Sequence, residues 1–212
     1  LNYKIKNAEN DLKNNSVIFL LHGYGSNEDD LFSFTPFLPK YSTIISLRAP
    51  YELSPGSYAW YHLYPKSDGT FESDIETARM TLELLNKNIQ LIIKKYKLDS
   101  NDITLLGFSQ GAILGWALAF EKLTIVRRLV ALSGFIHETI NTSKGPNFIA
   151  YSSHGVSDQV IPIKLARQSI LPISKKYNEI QYHEFPEGHT ISQENLNLFL
   201  KLQDYLKSQV PF

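Results

Sequence analysis

The chain has 212 residues, ample for one buried core, and its 43% hydrophobic and 12% aromatic content excludes a disordered or collagen-like protein. Lys and Arg total 21 and Asp and Glu total 21, so at zero formal net charge no basic field exists to hold nucleic acid or an anionic membrane. The absence of Cys removes a disulfide framework, a thiol nucleophile and a thiolate metal site, and suits a reducing, cytoplasmic setting.

From the start of the chain, the first fifteen residues are polar, with Lys4, Lys6, Glu9, Asp11 and Lys13 among them, and do not read as a signal peptide. Segments 16–21, 43–47, 103–106, 129–132, 148–151 and 180–185 read as strands, most of them near-continuous apolar runs of the kind covered on both faces. Helical patterns lie between them. Ala78, Leu82, Leu85, Ile89, Ile92, Ile93 and Tyr96 fall on one stripe at spacings of three and four. Segment 112–120 is almost wholly apolar and predicts a buried helix, and Leu196, Phe199, Leu202 and Leu206 mark a last amphipathic one. No apolar stretch approaches the roughly 20 residues that span a bilayer. Strands alternating with helices, without repeats or a linker, predict one α/β domain over 1–212. Its sheet is mostly parallel and doubly wound, with helices on both faces.

The chemistry centres on Gly107-Phe108-Ser109-Gln110-Gly111. An apolar strand runs into this Gly-x-Ser-x-Gly and an apolar helix leaves it, the strand–turn–helix of a nucleophile elbow in an α/β-hydrolase fold. The turn is so tight that Gly107 and Gly111 must lack side chains, and Ser109 is left strained at its apex. A serine hydroxyl needs an adjacent base that is itself oriented by an acid, in the chain order Ser, Asp or Glu, His. Asp158 is the one aspartate between Ser109 and the last histidine, and it follows an apolar strand; Glu121 and Glu138 compete from less suitable places. His189, in a Gly-containing loop after the strand 180–185, is the expected base, whereas His183 lies inside that strand. His22, His62, His137 and His154 precede Asp158 and are expected to be structural. No His-Glu-x-x-His spacing suggests a zinc site. The oxyanion donors expected are the backbone N–H of Gln110, at a helix N-terminus, and that of Tyr24 in Leu21-His22-Gly23-Tyr24-Gly25.

Five segments in order resemble the phospholipase/carboxylesterase family, which includes acyl-protein thioesterases, and its bacterial branch in particular. They are 21–31, 47–50 with Tyr58-Ala59-Trp60-Tyr61, 107–111, 154–162 and 188–191. The resemblance implies an esterase or thioesterase with Ser109, Asp158 and His189 as its triad, and no metal or organic cofactor. It makes 58–61 a substrate loop, although His62 stands where many members carry an acidic residue. The segment 132–147 is too short for a lid domain, so an open cleft flanked by Tyr58, Trp60 and Val160 is expected; these residues serve equally as packing. The partner is then a small ester or thioester, with no nucleic acid, no integral membrane association, and a homodimer as the one assembly left open. A non-hydrolytic enzyme on this fold and a ligand-binding protein are the rival readings.

Overall fold

The computed structural model describes residues 1–9, 15–67, 71–121 and 125–208, the last eight by backbone alone; Asp11, Lys13 and the side chains of Leu202 and Leu206 lie outside that description. The chain opens with β1 (Tyr3–Lys6) and β2 (Val17–Leu21), the second fully buried. Asn27 then caps α1 (Glu28–Phe32) by accepting the Asp29 N–H, and three acidic residues sit at the positive end of that helix. Next come β3 (Thr43–Leu47) and two small hairpins, β4 (Tyr51–Ser54) with β5 (Ser57–Ala59) and β6 (Leu63–Pro65) with β7 (Phe71–Ser73). The long α2 (Ile75–Tyr96) begins where Asp74 accepts the Thr77 N–H, and it ends at Lys97 in the left-handed region. Then β8 (Ile103–Phe108) runs into α3 (Gln110–Phe120), all of it buried. The chain continues through β9 (Arg128–Leu132), β10 (Ile149–Gly155), α4 (Ile163–Ser169), α5 (Leu171–Lys176), β11 (Ile180–Phe185) and α6 (Gln193–Ser208).

Seven strands form one sheet in the order β1-β3-β2-β8-β9-β10-β11, parallel except for β1, which pairs antiparallel with β3. Alternate residues of the central strands serve opposite faces. Val17, Phe19, Leu21, Leu105 and Leu129 join α2 and α3 in one core, whereas Ile18, Leu20, Leu106 and Val130 meet Leu31 of α1 and Leu196 and Phe199 of α6 in another. Both faces are dry, which is why these strands read as continuous apolar runs. The architecture is doubly wound α/β. Residues 133–148 make only loop and turns between β9 and β10, so no lid rises there. No helix among the described residues is long and apolar enough to cross a membrane.

Two expectations change. β10 does not end near residue 151 but continues through Ser152, Ser153, His154 and Gly155, because each of its buried polar side chains finds a partner. Ser152 Oγ donates to Ala131 O at 3.0 Å and Ser153 Oγ accepts from Asn195 Nδ2 at 2.8 Å. The hairpins and β1 are short and only partly buried, and carried no apolar run to announce them.

Candidate active site

Ser109 stands between β8 and α3 with φ 55° and ψ −118°, and its N–H donates to Leu132 O at 2.8 Å. Such a conformation is costly for a residue with a Cβ and persists only where its surroundings enforce it. Two glycines do so. A Cβ on Gly107 would stand 2.4 Å from the Gly111 carbonyl oxygen, and one on Gly111 would stand 2.1 Å from that of Leu21.

At this apex the structure brings together three side chains far apart in sequence. His189 Nε2 lies 3.0 Å from Ser109 Oγ, and His189 Nδ1 lies 2.7 Å from Asp158 Oδ2. The other carboxylate oxygen accepts the N–H groups of Val160 and Ile161, both at 2.8 Å. With Nδ1–H donated to Asp158, Nε2 is left bare to accept the serine proton. Asp158 follows β10, His189 follows β11, and their loops are zipped together: Val156 N–H donates to Phe185 O and Ser157 N–H to Glu187 O, at 2.7 and 3.0 Å. Phe108 packs its ring 4.9 Å from that of His189.

The loop after β2 lies on the elbow. A Cβ on Gly23 would be 3.4 Å from the Ser109 Cβ. Gly25 N–H is committed to Tyr58 O at 2.8 Å and Ser26 N–H to Gly23 O at 3.3 Å, so neither of these two groups is free to meet an oxyanion. Gln110, first in α3, has no carbonyl four residues back within its own helix, so its N–H faces out at the positive helix end. Its side chain is fully used, accepting Trp60 N–H and donating to Tyr61 O, each at 2.8 Å. His22 is buried beneath this loop. Its Nε2 accepts the Ala49 N–H, so Nδ1 carries the proton and donates to Gly23 O at 2.8 Å; burial pushes its pKa down and keeps it neutral.

Trp60 departs from expectation. It is wholly buried, donates its indole N–H to His22 O at 2.7 Å and stacks near the His22 ring, so it offers no face to a cleft. What it does is join the segment carrying Tyr24 to the helix end carrying Gln110. Tyr58 is half-buried under the Arg48 guanidinium, which is held by the buried carboxylate of Glu28. Val160 is exposed beside Asp158. An open groove of about 730 Å³ lies elsewhere, between the β6–β7 hairpin, loop 135–142 and α4–α5, its lining divided between apolar residues such as Phe71, Phe135 and Leu165 and polar ones such as Glu72, Glu138 and Gln168. It starts one residue beyond Gly134, where a Cβ would stand 3.3 Å from the Ser109 carbonyl oxygen.

The remaining candidates disperse. Glu121 closes the far end of α3 and Glu138 sits in loop 133–148. His183 stacks on Tyr151, His62 packs at a tilt against Tyr51, and His137 bonds Thr139. His154 differs from these, since its ring touches Asp158; its place before Asp158 in the chain hid it. Among the described residues, no group of three His, Asp or Glu is placed to hold a metal ion.

An elbow serine on a doubly wound sheet defines an α/β-hydrolase. The solved structure of esterase PE8 overlays with a TM-score of 0.81 at 23% identity, covering 96% of this chain and 97% of PE8. A carboxylesterase from Bacillus cereus gives 0.76 at 19% identity, covering 96% and 93%. At such identities the overlays speak for the fold alone. The chain belongs to the phospholipase/carboxylesterase family, whose model matches residues 4–207. A relative in Debaryomyces hansenii named acyl-protein thioesterase 1 is 26% identical over 203 residues, covering 85% of this chain and 87% of its own. One of the same name in Candida albicans is 26% identical over 207 residues, with the same coverage.

Proposed function

We propose that this chain, a serine hydrolase by family, cleaves small carboxylic esters and thioesters through an acyl-enzyme on Ser109, with residues 1–212 acting as one catalytic domain. The carrying observation is the hydrogen-bonded chain from Ser109 Oγ through His189 to Asp158 at 3.0 and 2.7 Å. Ser109 Oγ attacks the acyl carbon as its proton passes to His189 Nε2, and Asp158 stabilises the imidazolium. The oxyanion so formed is held by the Tyr24 and Gln110 N–H groups. Collapse breaks the bond to the leaving group, which takes the proton from Nε2. Water then attacks the acyl-serine, gives its proton to Nε2 and releases the acid, with Nε2 returning the proton to Ser109. The relatives' names support the thioester arm. Each methylene of the acyl chain that the cleft buries adds about 0.8 kcal/mol, so the preference rises over several carbons and then levels off. Against a ligand-binding protein stands the hydrogen-bonded line of Ser109, His189 and Asp158, which binding alone does not require. A cytoplasmic location and a homodimer remain part of the same reading, for fractionation and sedimentation to test.

The test is kcat/KM on p-nitrophenyl esters from acetate to palmitate and on one thioester, for wild type and Ser109→Ala, with fluorophosphonate labelling. Wild type should label at Ser109 and prefer short to medium chains. Ser109→Ala should keep its melting temperature and lose about a million-fold in kcat, the loss seen for the nucleophile of a serine protease. Turnover by the mutant would remove Ser109 from its role. Sharp activation when an emulsion forms would replace the lidless esterase with a lipase.

A further inference from the structure

We infer that His154 is a positioning residue for catalysis, a second imidazole on the carboxylate of Asp158 that also ties the acid loop to the nucleophile turn; this rests on Ser109 being the nucleophile. The side chains of His154 and Asp158 are both wholly buried. His154 Nε2 lies 2.8 Å from Ile161 O and 3.4 Å from Asp158 Oδ2, and Nδ1 lies 3.2 Å from Gly134 O. All three neighbours are carbonyl or carboxylate oxygens, which only accept, so whichever ring nitrogen carries the proton finds an acceptor: Ile161 O with Asp158 Oδ2 beside it for Nε2, Gly134 O for Nδ1. Packing alone does not call for three acceptors around one ring.

Each contact falls on a segment that places a reacting group. Ile161 donates its own N–H to Asp158 Oδ1 at 2.8 Å, so His154, Ile161 and Asp158 close a ring around the turn at 158–161. Asp158 Oδ2 is met by His189 Nδ1 and His154 Nε2 together, and a rotation of the carboxylate would break both contacts. Gly134 lies on the elbow, since a Cβ there would be 2.7 Å from the Ala112 Cβ and 3.3 Å from Ser109 O. His154 therefore spans from the nucleophile turn to the acid turn. From β11, Glu184 is its register partner; that carboxylate is hydrogen-bonded to Arg167 at 2.8 and 2.6 Å and feels the His154 ring only electrostatically.

Three variants separate the two ends of the span. His154→Gln keeps a donor near the Nε2 position, His154→Asn keeps one near the Nδ1 position, and His154→Phe fills the space with no donor. Steady-state kinetics on a soluble p-nitrophenyl ester should give Gln within a few-fold of wild type and Phe roughly 100-fold lower in kcat with KM unchanged, the scale of a misplaced reacting group. Asn should fall between them. The downfield proton NMR resonance shared by His189 and Asp158 should persist in Gln and broaden or shift in Phe. If Phe folds and matches wild type in kcat and in that resonance, the inference is wrong. If Phe does not fold, equal kcat for Asn and Gln overturns it instead. Turnover by Ser109→Ala would defeat the parent reading, whereas normal His154 variants beside an inert Ser109→Ala would defeat this one alone.

Discussion

In Asp158→Asn, one acceptor oxygen has to replace two. If it stays on the N–H groups of Val160 and Ile161, the new amide nitrogen faces His189 Nδ1 and the imidazole must turn to its other tautomer. Nε2 then carries a proton towards Ser109 and takes none from it. Turnover should fall by about 10,000-fold, the cost of the equivalent change in a serine protease, with the melting temperature within a few degrees of wild type. A loss under tenfold in steady-state kinetics would mean that Asp158 does not orient the base. The sequence made Ser109, Asp158 and His189 legible because chain order and residue type leave few choices. It placed Trp60 at a cleft and set His154 aside as structural for a different reason. A motif shows which residue is present but not which way it points, and Trp60 is turned wholly inward.

At the scale of elements, the junction of β10 with the loop after β11 is set by one close approach. A Cβ on Gly155 would stand 2.2 Å from Gly188 O and 2.4 Å from Glu187 O, whereas one on Gly188 would meet nothing nearer than Ser157 O at 3.7 Å. Gly155→Ala must push the two loops apart, and overpacking of this kind costs about 1–3 kcal/mol. We expect a lower melting temperature, and a lower kcat/KM because Asp158 and His189 ride on the two displaced loops. Gly188→Ala, in the same contact, should behave almost as wild type. Equal effects in thermal melts and kinetics would show that the approach is not what aligns the loops. The apolar strands and the α2 stripe were plain from periodicity alone, because burial on both faces writes itself into composition. The polar end of β10 was not, since its side chains are satisfied by partners far away in sequence.

For the whole molecule, burial holds the pKa of His22, His137 and His183 below the usual histidine value. Unfolded, each takes a proton as pH falls through about 6.5, while the folded chain resists. The unfolded state then binds more protons, so stability drops with pH from there down to the folded values, by at most about 1.4 kcal/mol per pH unit for each histidine. His137 and His183 are part-exposed and should contribute less. Glu28 extends the loss to lower pH. Its bond to Arg48 depresses its carboxyl pKa, so that contribution is present above the unfolded value near 4.3 and vanishes as pH falls through the folded one. Melting temperature should be flat above about pH 7 and decline through pH 5, less steeply in His183→Gln. A curve still level at pH 5 would show that these histidines are protonated in the fold.

The strand order also bears on how the chain is made. β2 pairs on one side with β3 and on the other with β8, Val17 lying opposite Ile103. During synthesis Val17-Ile18-Phe19-Leu20-Leu21 therefore emerges long before its second neighbour exists, as an uncharged apolar segment suited to self-association. Long-range parallel pairing of this kind is slow to form. The nascent protein must pass through a period when its future centre is its stickiest surface, and Ser109, Asp158 and His189 meet only after that period is over.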